Sequence, residues 1–137
     1  MGVSPVRQIR ELKIQGASNI AIFALKALLR EGKKLRLGDP RKFYERILKL
    51  ATKLAVARPT EPATRNALAL VLTRLEQVRG SNVDSLRREL QISVSEAKKL
   101  IEELQRKTVE VASNRIPHEC TILTHCHSFT VVKALLM

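Results

Sequence analysis

The chain has no tryptophan, and aromatic residues of all kinds make up only 3% of its 137 residues. A core must therefore be built from leucine, isoleucine, valine and alanine. Glycine and proline are also scarce, with five of each, which favours long helices joined by short connections. No window holds 18 uncharged apolar residues in a row, so the sequence excludes a transmembrane helix and predicts no membrane partner. We expect a mainly helical protein.

Cysteine is nearly absent as well. Cys120 and Cys126 are the two cysteines, and they lie in one short segment that implies no disulfide framework. The first residues lack the apolar stretch of a secretory signal. Together these features predict a cytoplasmic location.

Acidic residues are scarce in the first part of the chain. Residues 1–58 carry 14 Lys and Arg against 4 Asp and Glu, a net charge of +10, whereas residues 59–137 carry 11 against 9, a net charge of +2. The basic part is either a phosphate-attracting surface or the solvated faces of helices. It contains no interleaved aromatic residues and no zinc-ligand spacing, so nucleic acid is not an expected partner, although a basic RNA-binding module stays an alternative.

Apolar residues recur with helical spacing through most of the chain. The segment 18–30 is apolar almost all round, which predicts a buried central helix with Ser18 or Asn19 as its N-cap and Gly32 at its end. Asp39 followed by Pro40 predicts the start of another helix. The Ser-Val-Ser-Glu sequence at 93–96 fits a capping box, so a long helix is expected to begin there, after a short helix or loop over 82–92.

The end of the chain has a different pattern. A β-branched run at 121–125 precedes a polar turn, and an apolar helix start follows from about residue 129, with Ser128 as its predicted N-cap. Strand, polar turn and helix are typical of the carboxyl ends of strands in open α/β sheets. We therefore predict a helical bundle domain over 1–117 and, over 118–137, the first strand and helix start of a parallel-sheet α/β domain whose remainder is missing.

Three segments carry candidate binding residues: 14–18, 57–60 (which contains Arg58) and 124–128. Each lies at a predicted helix or strand end, where unpaired N–H groups can bind anions. Gly16 either permits close ligand approach or forms an ordinary turn. Arg58 either binds phosphate or complements the C-terminal dipole of a helix. We predict that the three segments converge on one phosphorylated ligand.

Cys126 is the sharpest chemical candidate. A thiol between His125 and His127, in a turn that opens a helix, has reasons to approach its thiolate form, so it is a candidate nucleophile or general base. The alternative is a small buried residue at a strand end. Adjacent residues of a strand point to opposite faces, so the three side chains cannot chelate one ion together. We expect neither a metal nor a cofactor.

Three sequence blocks carry a family resemblance. They are Ile-Arg-Glu-Leu-Lys-Ile-Gln-Gly-Ala-Ser-Asn-Ile-Ala at 9–21, Ala-Arg-Pro-Thr at 57–60 with Asn-Ala-Leu at 66–68, and Leu-Thr-His-Cys-His-Ser-Phe-Thr-Val-Val at 123–132. In these blocks the chain resembles the translation initiation factor 2B α/β/δ-subunit family, which includes archaeal ribose-1,5-bisphosphate isomerase and methylthioribose-1-phosphate isomerase.

The resemblance implies a helical N-terminal domain, a Rossmann-like C-terminal domain, and a phosphosugar or nucleotide site between them. In the isomerases a cysteine accepts a proton and an aspartate of the C-terminal domain donates one; the motif match places Cys126 on that cysteine, and this chain ends before the aspartate. The match also implies substrate-binding positions at Gln15, Gly16, Ala17, Ser18, Arg58, His127 and Ser128. Family members assemble as dimers or larger oligomers.

One position departs from the isomerases, which usually carry arginine where this chain has Gln15. Losing a bidentate guanidinium contact to phosphate should cost about 1.5–3 kcal/mol of binding free energy. The departure favours a noncatalytic regulatory and assembly subunit in translation initiation, with an initiation-factor-2-like protein or a second copy as partner. A sugar-phosphate isomerase domain with Cys126 as base is the alternative.

Overall fold

A computed structural model describes residues 4–125 and 128–137 of the chain. The described residues are mainly helical and contain no strand. Their helices are α1 (Pro5–Arg10), α2 (Ala17–Lys34), α3 (Pro40–Val56), α4 (Pro62–Gln77), α5 (Val83–Ser113) and α6 (Phe129–Leu135). None of these helices combines the length and the low charge that a bilayer crossing requires.

Helix α2 is the centre of the bundle, as its all-round apolar sequence predicts. It contacts α1, α3, α4 and α5. Its buried residues are almost all aliphatic: Ile20, Ala21, Ala24, Leu25, Ala27, Leu28 and Gly32. Burying a leucine or isoleucine side chain stabilises the fold by about 1.5–3 kcal/mol relative to exposing it. The aliphatic core therefore holds α2, and with it the start of α2, in a fixed position.

Helix α3 begins as the Asp39-Pro40 pair predicts. The Asp39 carboxylate accepts hydrogen bonds from the backbone N–H groups of Arg41 and Lys42, at 2.8 Å and 3.2 Å. These bonds satisfy donors that the first helical turn leaves without partners. One turn later, Phe43 is fully buried against the other helices.

Gly32 does not end α2, which corrects the expectation drawn from its sequence. The helix continues to Lys34, and Gly32 is buried inside it. A Cβ atom at Gly32 would lie 2.3 Å from Cδ2 of Leu90 on α5. The glycine therefore serves close packing between α2 and α5, a tertiary role that a local helix-stop rule does not anticipate.

The capping box at 93–96 is also wrong, because α5 is one continuous helix. It begins at Val83, and Asn82 is its N-cap, accepting a hydrogen bond from the N–H of Ser85 at 2.9 Å. The buried Ser93 hydroxyl instead donates to the carbonyl of Glu89 at 2.8 Å. Glu96 pairs with Arg74 of α4. A cap sequence inside a helix is overridden when the preceding residues can pack, as Leu86 and Leu90 do.

Residues 121–125 are irregular, so the predicted strand is absent from the described chain. A strand exists only through hydrogen bonds to a neighbouring strand, and none is available within the described residues. Leu123 is 98% exposed. After this segment α6 packs against α5. Ser128 is the N-cap of α6, as expected, with its hydroxyl accepting from the N–H of Val131 at 3.4 Å.

Candidate functional site

The first turn of α2 leaves its backbone donors uncapped. The N-cap is Gly16, two or three residues before the predicted Ser18 or Asn19, and no side chain caps the helix. The Asn19 side chain donates to the carbonyl of Gln15 at 3.2 Å instead of capping. No acidic residue stands in the first turn. The N–H groups here therefore present an uncompensated positive potential, the arrangement that binds anions at helix N-termini.

Gly16 brings α2 and α6 together. Its φ of 84° is a conformation that side-chain-bearing residues rarely adopt. A Cβ atom on Gly16 would also lie 2.8 Å from Cδ2 of Phe129, the first residue of α6. Both the turn and the contact therefore require glycine. The result is that the starts of α2 and α6 lie side by side.

Gln105 of α5 ties α6 in place. Its amide nitrogen lies 3.5 Å from the Thr130 hydroxyl, and its amide oxygen accepts a hydrogen bond from the Lys133 ammonium at 2.8 Å. Sequence reasoning missed this residue. The available signal is its spacing: Gln105 lies four residues after the half-buried Ile101, so the two share one face of α5.

These elements line an open cavity of about 190 Å³. Its lining residues come from the start of α2, from α5 and from the start of α6: Gly16, Ala17, Ser18, Asn19, Gln105, Ser128, Phe129 and Thr130. Within the described residues, no charged side chain lines it. An anion in this cavity would be held by backbone N–H groups, hydroxyls and amides. We call it the α2 cavity.

A second cavity of about 320 Å³ adjoins the α2 cavity. The two share Ser18, Gln105 and Thr130 in their linings. The second cavity extends along α4, where Asn66 and Ala67 line it. The middle sequence block therefore reaches this region through α4.

The structure brings together four of the predicted binding residues. Gly16, Ala17, Ser18 and Ser128 all line the α2 cavity, although the first and last of them are 112 positions apart in sequence. Residues 16–18 of the first candidate segment and Ser128 of the third therefore meet at one place.

Gln15 and Arg58 do not line the α2 cavity. Gln15 is exposed and directly precedes Gly16, the first residue that lines the cavity. Arg58 is half-buried in the turn between α3 and α4, where its carbonyl accepts from the N–H of Glu61 at 3.0 Å. Its guanidinium forms no ion pair with any acidic side chain in 4–125 or 128–137.

Cys126 and His127, the remaining candidates, lie outside the described residues. His125 and Ser128 flank them. In the part of the chain that the structure describes, no group of three His, Cys, Asp or Glu side chains is arranged to hold a metal ion.

Comparison with known proteins places these features in a family context. Residues 13–137 match the model of the initiation factor 2 subunit family. The chain is 29% identical over 128 residues to the ribose 1,5-bisphosphate isomerase of Archaeoglobus fulgidus, an alignment covering 93% of this chain and 39% of the relative.

Two further relatives have similar identity. The methylthioribose-1-phosphate isomerase of Desulforamulus reducens is 29% identical over 131 residues, covering 93% of this chain and 37% of the relative. The ribose 1,5-bisphosphate isomerase of Haloferax volcanii is 31% identical over 121 residues, covering 88% of this chain and 36% of the relative. The chain thus spans less than two fifths of the length of these relatives.

Proposed function

We infer that this chain, which belongs to the initiation factor 2 subunit family, is a regulatory and assembly domain in translation initiation. On this proposal it binds a phosphorylated sugar or nucleotide in the α2 cavity and has no catalytic activity alone. The ligand would meet the N-terminus of α2 on this domain, and a Rossmann-like domain would form the opposite wall.

The meeting of Gly16 with Ser128 carries the proposal. The cavity between them combines uncapped N–H groups, hydroxyls and a glycine whose lack of a side chain permits close approach. A phosphate can accept hydrogen bonds from all of these donors. The volume of about 190 Å³ is small for a whole ligand, which fits a cavity that holds one phosphoryl group while the rest of the ligand extends outward.

The same geometry predicts weak binding by this chain alone. The cavity lining supplies no cation, and Gln15 is neutral where the isomerases have arginine. Arg58, free of ion pairs with the described residues, remains a proposed phosphate ligand, as do Gln15 and His127. Neutral donors contribute less binding free energy to a dianion than a guanidinium does.

A sugar-phosphate isomerase domain is the second candidate, because the relatives named above are isomerases. In that case Cys126 would accept the proton transferred between two carbons of the substrate, and a donor outside this chain would return it. The neutral Gln15, at a position where the isomerases usually carry arginine, favours the regulatory function.

An exposed apolar strip supports assembly with a protein partner. Leu70 on α4 and Leu100 on α5 are 50% and 43% exposed. Both line a groove of about 610 Å³ between the two helices. Apolar surface of this kind marks sites of protein association. The proposed partner is an initiation-factor-2-like protein, with a second copy of the chain as the other candidate.

Calorimetric titration of the purified chain with ribose 1,5-bisphosphate tests the ligand proposal, with ribose as the control that lacks phosphate. We expect saturable binding of the bisphosphate and none of ribose. A turnover assay on the same sample tests whether the chain is catalytic by itself. The regulatory function predicts no turnover, and binding to purified initiation factor 2 in analytical ultracentrifugation.

If the chain shows turnover, and Cys126→Ser abolishes it, the regulatory proposal is wrong and the isomerase proposal is correct. Absence of any saturable binding by the bisphosphate, at concentrations where the chain stays folded, would contradict the phosphorylated-ligand proposal itself.

A further inference from the structure

A separate cleft of about 510 Å³ lies between α1, α2 and α3. It shares no lining residue with the α2 cavity. Arg30, which lines it, lies 13 residues after Ala17 on α2, which places the cleft about 20 Å along the helix axis from the start of α2. We call it the basic cleft.

The basic cleft is lined by five cationic side chains, Arg30, Lys34, Arg46, Lys49 and Lys53, and one acidic side chain, Glu31. Glu31 pairs with Arg46 at 3.5 Å. The other four cations form no ion pair with any described residue. The cleft therefore concentrates four uncompensated positive charges.

Helix dipoles account for only two of these charges. Lys34 and Lys53 stand in the last turns of α2 and α3, where cations complement the carbonyl ends. Arg30 and Lys49 lie before those last turns, where the dipole has little effect. Their positions facing one cleft from two helices need another explanation.

Ion pairs neutralise several cations elsewhere on the described surface. Arg74 pairs with Glu89 at 2.7 Å, Lys98 with Glu102 at 3.4 Å, and Lys107 with Glu103 at 2.8 Å. In the basic cleft, by contrast, four cations without such pairs line one concave wall. A concave wall of one charge focuses its field on an anion.

We propose that the basic cleft binds a compact small-molecule anion that carries two or more phosphoryl groups. Its volume lies within the roughly 300–1,000 Å³ typical of small-molecule sites. Several phosphoryl groups in a row match cations that project from two neighbouring helices. No aromatic side chain lines the cleft within the described residues, so the site offers nothing for a base to stack on.

Isothermal titration of the full chain with inorganic tripolyphosphate at fixed ionic strength tests the proposal. Orthophosphate and a single-stranded RNA oligonucleotide serve as comparisons. We expect one saturable tripolyphosphate site and weaker binding of orthophosphate. The double variant Arg30→Gln/Lys49→Gln should weaken tripolyphosphate binding by about tenfold, since two exposed charge contacts are lost.

The double variant Lys33→Gln/Arg65→Gln is the matched control. It removes the same charge from exposed positions of α2 and α4 that do not line the cleft, and its affinity should change by less than about twofold. Helix content and thermal unfolding of both variants are compared with those of the unsubstituted chain. Equal losses in the two variants would overturn the proposal, as would RNA binding without a saturable tripolyphosphate site.

Discussion

Gly16→Ala should lower the free energy of unfolding by about 1–3 kcal/mol, because alanine is strained at the backbone angles of this position. The backbone angles of Gly16 are φ 84° and ψ 127°. The new methyl group would also lie 2.8 Å from Cδ2 of Phe129, so the start of α6 must move. Urea denaturation followed by circular dichroism measures the loss.

The chain offers matched controls for this substitution. A Cβ atom added at Gly38 or Gly80 would meet no atom within 4 Å. Alanine at either position should change stability by no more than about 0.5 kcal/mol. Adding Phe129→Ala to Gly16→Ala removes the steric contact and leaves the backbone strain. If Gly16→Ala lowered the free energy of unfolding by no more than the two controls do, the close approach of α2 and α6 would be contradicted.

Leu90→Ala should lower the free energy of unfolding by about 2–5 kcal/mol, the range for emptying a fully buried leucine site. In a Gly32→Ala background the cost should be smaller by an amount on the order of 1 kcal/mol. The reason is geometric, because the Cβ position of residue 32 lies 2.3 Å from Cδ2 of Leu90. Alanine at 32 must displace this leucine, whereas it fills the space that Leu90→Ala leaves.

A double-mutant cycle from four denaturation curves gives this coupling. Leu75→Ala on α4 is the control, since Leu75 is equally buried and is not among the side chains nearest Gly32. Its cost should be the same with and without Gly32→Ala. Additive effects at 32 and 90 would contradict the packing of α2 against α5.

Local signals in the sequence predicted much of the fold because they act without distant partners. Asp39 caps α3 through bonds to the next few residues, and Ser128 caps α6 in the same way. The all-round apolar pattern of α2 can be satisfied only at the centre of a bundle, so its burial followed from composition.

The errors share a different origin, because each depended on a distant neighbour. Gly32 has the sequence pattern of a helix end, but its contact with Leu90 of α5 is what requires glycine there. The cap sequence at 93–96 forms no helix start, because the residues before it pack as part of the same helix. The strand at 121–125 needs a paired neighbour. The link from Gln105 to Thr130 joins residues that are 25 positions apart, on two helices whose docking the sequence does not reveal.

The candidate site was foreseen in part. Residues 16–18 and Ser128, from two of the three predicted segments, line the α2 cavity, because the starts of helices can be recognised from sequence. The sequence does not reveal which helix ends meet in space, because that depends on how α6 docks on α5. Arg58 illustrates the limit, since it does not line the cavity and the middle block reaches the region through Asn66.

The sharpest single measurement compares Ala17→Pro with Ala17→Ser in titrations with ribose 1,5-bisphosphate. Residue 17 is the first of α2, where proline fits the helix and removes only an N–H group. Serine at this position retains the N–H. If the backbone at the start of α2 holds phosphate, Ala17→Pro should bind about tenfold to a hundredfold more weakly, with unchanged helix content. Equal affinity of the two variants would show that the ligand does not use this helix end.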